Sequence, residues 1–258
     1  MRTVLITGAG AGIGATLAEA AADAGWRVGV LDRDAEAAAR TAGSIGTSAT
    51  ALVADTTDEA AIEAALDAFA AATGAPAPDA VVCNAGIVRF GPLLEIDSAD
   101  WRSVVDVNLT GTFLTARATA RRMVAAGAGG SIVAITSMNG VAPGPSSGAY
   151  GPTKAGVALL VQQMALEWGA AGIRVNAVAP GLIDAGMSEP IYADPESRRL
   201  RSARVPLGRL GTASDVASVV LFLLSDGAGY VSGTELLVDG GVTRSVITSL
   251  PRPRAVDS

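Results

Sequence analysis

The sequence predicts an α/β protein of the doubly wound (Rossmann) type, a seven-stranded parallel sheet with helices on both faces, in a single domain. Three observations carry this expectation. Short β-branched runs alternate along the chain with segments of helical periodicity. The strand runs are apolar throughout instead of alternating with polar residues, as strands covered on both faces are. No stretch of the 258 residues is polar or repetitive enough to read as a linker, so residues 1–242 form one domain and residues 243–258 an extension.

Residues 3–7 form the first strand, ending at Gly8, after which Ile13, Leu17 and Ala21 recur at helical spacing up to Gly25. The alternation repeats as strand 27–31, helix 34–43, strand 50–54 and helix 58–73, which completes one βαβαβ half. The second half opens with strand 80–83, a helical stretch over 98–124 interrupted near Asn108, and strand 131–136. A long helix over 149–169, a strand over 173–179, a helix over 214–224 and a last strand over 235–238 finish the pattern. Sheets of this kind bind ligands beyond the carboxyl ends of their strands, near the point where strand order reverses. Chemistry is therefore sought next to Thr7, Leu31, Ala54, Asn84, Thr136 and Ala179.

Composition narrows that chemistry. Nineteen Lys and Arg against 25 Asp and Glu give a net charge of −6, ill suited to nucleic acid, which calls for a basic face to displace phosphate counterions. No apolar run approaches the ~20 residues of a membrane helix, and the start, MRTVLITGAG, lacks the apolar core of a secretion signal. Cys83 is the sole cysteine, so no internal disulfide forms and a reducing cytoplasm is expected. The chain contains no histidine. That excludes Ser-His-Asp and Cys-His machinery and His-ligated metal sites, and no metal is expected. Acid-base work falls to Tyr, Lys, Asp, Glu or Cys83.

The first turn reads Thr7, Gly8, Ala9, Gly10, Ala11, Gly12, Ile13, Gly14. Gly8, Gly12 and Gly14 permit tight turning and close backbone approach, so that amides at a helix start face a pyrophosphate. Asp32 ends the second strand near the ~20-residue spacing at which a carboxylate takes adenosine ribose hydroxyls; capping the next helix is its other reading. A carboxylate there favours NAD over NADP. Adjacent Arg33 either receives the extra phosphate of NADP or stacks on adenine. Asp55 either accepts the adenine amino group or caps a helix. Asn84, Ala85 and Gly86 are small enough to let the backbone pass beneath a cofactor. Cys83 reads as packed strand, since no cationic neighbour is evident in the sequence to lower its pKa.

Tyr150 and Lys154, four residues apart on one helix, share a face, and Ser137 follows the preceding strand. A phenol with a reference pKa of ~10 is a poor base near neutrality, and a nearby ammonium favours its ionised form. Ser137 can then hold a substrate oxygen while Tyr150 moves the proton.

With these residues assembled, the chain resembles the compact short-chain dehydrogenase/reductases over residues 2–241. The resemblance rests on the Thr-Gly-x-x-x-Gly-x-Gly turn at Thr7, Asn-Ala-Gly at Asn84 and Tyr-x-x-x-Lys at Tyr150. It implies hydride transfer between NAD(H), with NADP the lesser choice, and a small carbonyl or secondary alcohol, with Tyr150 as general acid/base. It implies that Asn108 bends its helix and holds a water linked to Lys154, and that Lys154 also binds the nicotinamide ribose. Pro180 and Gly181, with Ile183, would abut the carboxamide, and Asp55 and Thr56 would sit beside adenine. Ala185, followed by Gly186, stands where the family often has a Thr, so anchoring is lost there or supplied by Ser188. Cys83 precedes Asn84 where a second Asn is frequent, an exchange expected to be tolerated.

The resemblance further implies that residues 186–206 cover the site, with Met138, Asn139, Val141, Ser147, Phe90, Tyr192 and Met187 as pocket walls. Arg198, Arg199, Arg201 and Arg204 either attract an anionic substrate or form a solvated face. A small ketone, hydroxy compound or polyol suits such walls, and an NADP(H)-dependent 3-oxoacyl-thioester reductase is the alternative. A catalytically idle dinucleotide-binding sensor or scaffold is the reading of another class. Intact Ser137, Tyr150, Lys154 and Asn108 weigh against it. The family's habit implies a homotetramer, or a dimer, through helices 110–126 and 149–169, although a monomeric core calls for the same residues. The extension reaches a neighbouring subunit or takes no fixed place. No nucleic-acid or membrane partner is expected.

Overall fold

Seven strands pair in parallel in the computed structural model, which describes residues 1–245: β1 (Thr3–Thr7), β2 (Arg27–Asp32), β3 (Ala49–Val53), β4 (Ala80–Cys83), β5 (Gly130–Ile135), β6 (Ile173–Pro180) and β7 (Glu235–Val238). Their order is β3-β2-β1-β4-β5-β6-β7. Leu5 of β1 sits opposite Gly29 of β2 on one side and Val81 of β4 on the other. Strand order thus reverses between β1 and β4, and the crevice opens there. The expectation for the extension lies outside the described residues, beyond Ser245; its described start, residues 243–245, follows from a short 3-10 turn, Val242–Arg244.

Ten helices follow among the described residues: α1 (Gly12–Asp23), α2 (Ala35–Ile45), α3 (Glu59–Thr73), α4 (Ser98–Val105), α5 (Gly111–Ala126), α6 (Met138–Val141), α7 (Tyr150–Trp168), α8 (Glu189–Tyr192), α9 (Pro195–Ser202) and α10 (Ala213–Leu224). Successive strand residues face opposite ways, and here each way leads to a core. Leu5, Leu31 and Ile132 pack with Phe69, Met123 and Val161 of α3, α5 and α7. Val4, Ile6 and Val133 pack with Leu17 and Val220 of α1 and α10 on the other face. Full burial of each such side chain contributes about 1.5–3 kcal/mol, which is why the strands carry unbroken apolar runs. No helix among the described residues is long and apolar enough to cross a membrane.

Several boundaries differ from the sequence reading, for identifiable reasons. The cap of α2 is Asp34, whose carboxylate accepts from the amides of Glu36 and Ala37 at 3.0 Å each, so capping does not fall to Asp32. The cap of α3 is Asp58, which accepts from Ala60 and Ala61, so it does not fall to Asp55 either. The interruption near Asn108 is no break. The chain runs from α4 into α5 through a single π-turn, Asp106–Thr110, which inserts an extra residue without ending the helix.

Candidate active site

At the carboxyl end of the sheet lies a cavity of about 750 Å³ whose lining draws on both halves of the chain. Its first end is built from the glycine turn. Gly8 and Gly12 have φ of +63° and +56°, a region that suits glycine. A Cβ on Gly8 would meet the Ala85 Cα at 2.8 Å, and one on Gly14 would run into the carbonyl of Gly8. Asn84 straps the turn down: its Nδ2 donates to the carbonyls of Thr7 and Gly8 at 3.0 Å each. Thr7 Oγ1 in return accepts from the amides of Asn84 and Ala85 at 3.0 Å. This strap across β1 and β4 was not foreseen; the signal for it was the pair of polar residues at the two strand ends where the order reverses.

No side chain caps α1. The unsatisfied amides of its first turn, at Gly12, Ile13 and Gly14, border the cavity and suit an anion. Asp32 borders it too. Its Oδ2 accepts from the amide of Gly10 at 2.9 Å and its Oδ1 from that of Asp34 at 3.0 Å, which fixes the carboxylate at the end of β2. Arg33, Asp55 and Thr56 line the same end. Asp55 accepts from the backbone and hydroxyl of Thr57, and the backbone bond above all holds its pKa below the usual carboxylate value.

At the other end Ser137, Tyr150 and Lys154 line one wall, with Ala85 and Gly86 beside them. Tyr150 opens α7 and Lys154 lies one turn on. Lys154 Nζ donates to the carbonyl of Ile135 at 2.7 Å and stands 5.6 Å from the centre of the Tyr150 ring. Burial pushes the Lys154 pKa down to about 8. The sequence reading expected the ammonium to draw the phenol down. Burial instead raises the Tyr150 pKa, opposed by the Ser137 hydroxyl beside it. Ser137 Oγ also accepts from the amide of Asn139 at 3.2 Å, so the serine is oriented by α6.

Asn108 is fully buried and stands behind the cavity wall. Its Oδ1 accepts from the Ile87 amide at 2.8 Å, and its Nδ2 donates to the Ile87 carbonyl at 2.9 Å and to Thr153 Oγ1 at 3.3 Å. Asn108 therefore ties the segment after β4 to α7, next to Lys154. Cys83 is packed strand, its thiol pushed up to about 12 by burial. The premise that it has no cationic neighbour is corrected, because Lys154 acts on it in the opposite direction.

Pro180, Gly181 and Ile183, at the end of β6 and just beyond, complete the lining with Ala185, Met187 and Ser188. Of the expected pocket walls, Met138, Asn139, Ser147, Phe90 and Tyr192 take part, while Val141 is exposed and does not. Val141 ends the single turn of α6, two residues past Asn139, the last residue of that turn to line the cavity. Among the four arginines only Arg201 lines it. Arg198 pairs with Asp184 at 2.7 Å and Arg199 with Glu196 at 2.7 Å, so neither is free for a substrate.

A family model described as enoyl-(acyl carrier protein) reductase matches residues 8–243. Galactitol 2-dehydrogenase (L-tagatose-forming) of Cereibacter sphaeroides is 42% identical over 92% of this chain and 93% of its own. Among solved structures, a gluconate 5-dehydrogenase from Burkholderia cenocepacia in complex with NADP and tartrate superposes with a TM-score of 0.89. It is 37% identical, over 95% of this chain and 96% of that one. A 3-ketoacyl-(acyl-carrier-protein) reductase from Brucella melitensis complexed with NADH gives a TM-score of 0.86 and 32% identity, over 94% and 98%. The chain belongs to the short-chain dehydrogenase/reductase family of oxidoreductases acting on CH–OH groups. The family's nicotinamide dinucleotide fits the residues present. A glycine cradle that any Cβ would fill, an uncapped helix start and a fixed carboxylate lie at one end of the cavity, and Ser137, Tyr150 and Lys154 lie at the other.

Proposed function

We propose that the protein is an NAD(H)-dependent dehydrogenase of a small polyhydroxy compound, interconverting a secondary alcohol and its ketone. One observation carries the reading: Ser137, Tyr150 and Lys154 share a wall of the cavity whose far end holds the glycine turn and Asp32. Bound nicotinamide would give or take the hydride. Tyr150 would hold or release the proton at the substrate oxygen. Ser137 would fix that oxygen, and Lys154 would hold the ribose hydroxyls and supply positive charge beside the phenol. Asn108 would keep the wall in register. Met138 and Met187 would keep water from the reacting carbon.

Asp32 supports NAD, since a carboxylate held by two amides cannot easily move aside for a ribose phosphate. The likeness to the galactitol and gluconate dehydrogenases supports a polyhydroxy substrate. The 3-oxoacyl-thioester reading has the Brucella neighbour behind it, at lower identity. A panel of polyols, hydroxy acids and a 3-oxoacyl thioester, followed by the absorbance of reduced nicotinamide, decides between them. Assembly as a homotetramer or dimer through α5 and α7 has the exposed Leu159 and Leu166 of α7 in its favour. The decisive variant is Tyr150→Phe, which keeps the ring and its packing. Its turnover should fall by about 100-fold or more, as expected for loss of a general acid/base, with coenzyme binding retained. A variant with most of its activity intact would end the proposal.

A further inference from the structure

The substrate end of the cavity has a one-sided charge. Its two acidic lining residues, Asp32 and Asp55, both lie at the glycine-turn end, whereas the segment over Ser137 and Tyr150 brings in one cation, Arg201, and no acid. The chain could have neutralised Arg201 as it did its neighbours. Arg198 is paired with Asp184 and Arg199 with Glu196, yet among the described residues no carboxylate lies within ion-pair distance of Arg201. Its guanidinium carbon sits 5.8 Å from the centre of the Tyr192 ring. Tyr192 is 2% exposed, and its side chain also hydrogen-bonds that of Arg201, so a buried tyrosine steadies the cation where it lines the cavity.

From this we propose that Arg201 makes the enzyme selective for hydroxy acids, its planar fork receiving the carboxylate of a substrate whose secondary alcohol reaches Ser137 and Tyr150. The inference rests on the dehydrogenase reading above and names the substrate class within it. A guanidinium presents two parallel N–H donors that match a carboxylate. A neutral polyol gains no such pairing. The apolar lining residues Met138, Met187 and Ile191 supply contact without competing charge.

The test compares aldonates of four to six carbons with alditols of the same length, in wild type, Arg201→Met and Arg201→Lys. Two readouts are taken: turnover with NAD, and calorimetric binding to the NADH-loaded protein. The expected result is an aldonate with a KM and Kd about tenfold or more below those of its alditol, the size of one charge-assisted hydrogen-bond pair. Arg201→Met should erase that preference by raising KM and Kd for the aldonate to those of the alditol, and Arg201→Lys should restore part of it. Aldonates that bind no better than alditols in wild type, or a preference that survives Arg201→Met, would overturn the proposal. Arg201-dependent aldonate binding without turnover of any alcohol would uphold the anion site and sink the dehydrogenase reading instead.

Discussion

Burial moves the Lys154 pKa from 10.5 to about 8, so in the folded protein the ammonium gives up its proton more readily than in the unfolded chain. Between those two values the unfolded chain binds more protons, and stability rises with pH across that window. Below about 8 the folded state carries the whole cost of a charge taken out of water, offset in part by the bond to the Ile135 carbonyl. Replacing Lys154 by Met should therefore raise the melting temperature at pH 7, by roughly 2–4 °C for each kcal/mol relieved, while abolishing turnover. The gap to wild type should close as pH approaches 10. Circular dichroism melts across that range check it, and a variant less stable than wild type at pH 7 would show that the carbonyl bond outweighs desolvation. That Tyr150 and Lys154 lie together was readable in the sequence because four residues on one helix define a face. The directions of their pKa shifts were not, since burial, which dominates both, and the neighbouring Cys83 come about only in the folded sheet.

Among elements, the turn between β1 and α1 tolerates least. A Cβ at Gly14 meets the Gly8 carbonyl and the Asn84 amide together, two groups already bonded to each other. Gly14→Ala should lose roughly 1–3 kcal/mol of stability to overpacking and weaken NADH binding by about tenfold, as the α1 amides are displaced. Gly43→Ala is the control. Nothing lies within 4 Å of a Cβ there, so this helical site should gain about 0.5–1 kcal/mol. Chemical denaturation and fluorescence titration separate the two outcomes; equal behaviour of both variants would refute the cradle. Elements with apolar periodicity were legible. α9 was legible only as a short arginine-bearing helix without bounds, because it is too polar to show a buried stripe and depends on the Asp194 cap, Pro195 and the Arg199–Glu196 pair. The Asp-Pro start was the one visible signal of those bounds.

At the scale of the whole molecule, the cavity is a seam between two βα halves, and each supplies what the other lacks. Seven parallel strands and their sequence order followed from the alternation of runs, yet the reversal between β1 and β4 is a matter of pairing that periodicity does not encode. A ligand that bridges the seam stabilises the fold by mass action, by about 2.7 kcal/mol at a hundred times its Kd. NADH should thus raise the melting temperature more than NADPH at equal concentration, given the fixed Asp32 carboxylate. Differential scanning fluorimetry reads this directly, and a larger shift with NADPH would assign the phosphate to Arg33. The π-turn at Asp106–Thr110 also acts at this scale. Each residue of a helix advances about 100° around its axis, so the extra residue sets the angular phase of all of α5. Excising one residue there would wind Met123 and Ala120 out of the interior and leave Asn108 facing the wrong wall, like a cam that has slipped a tooth.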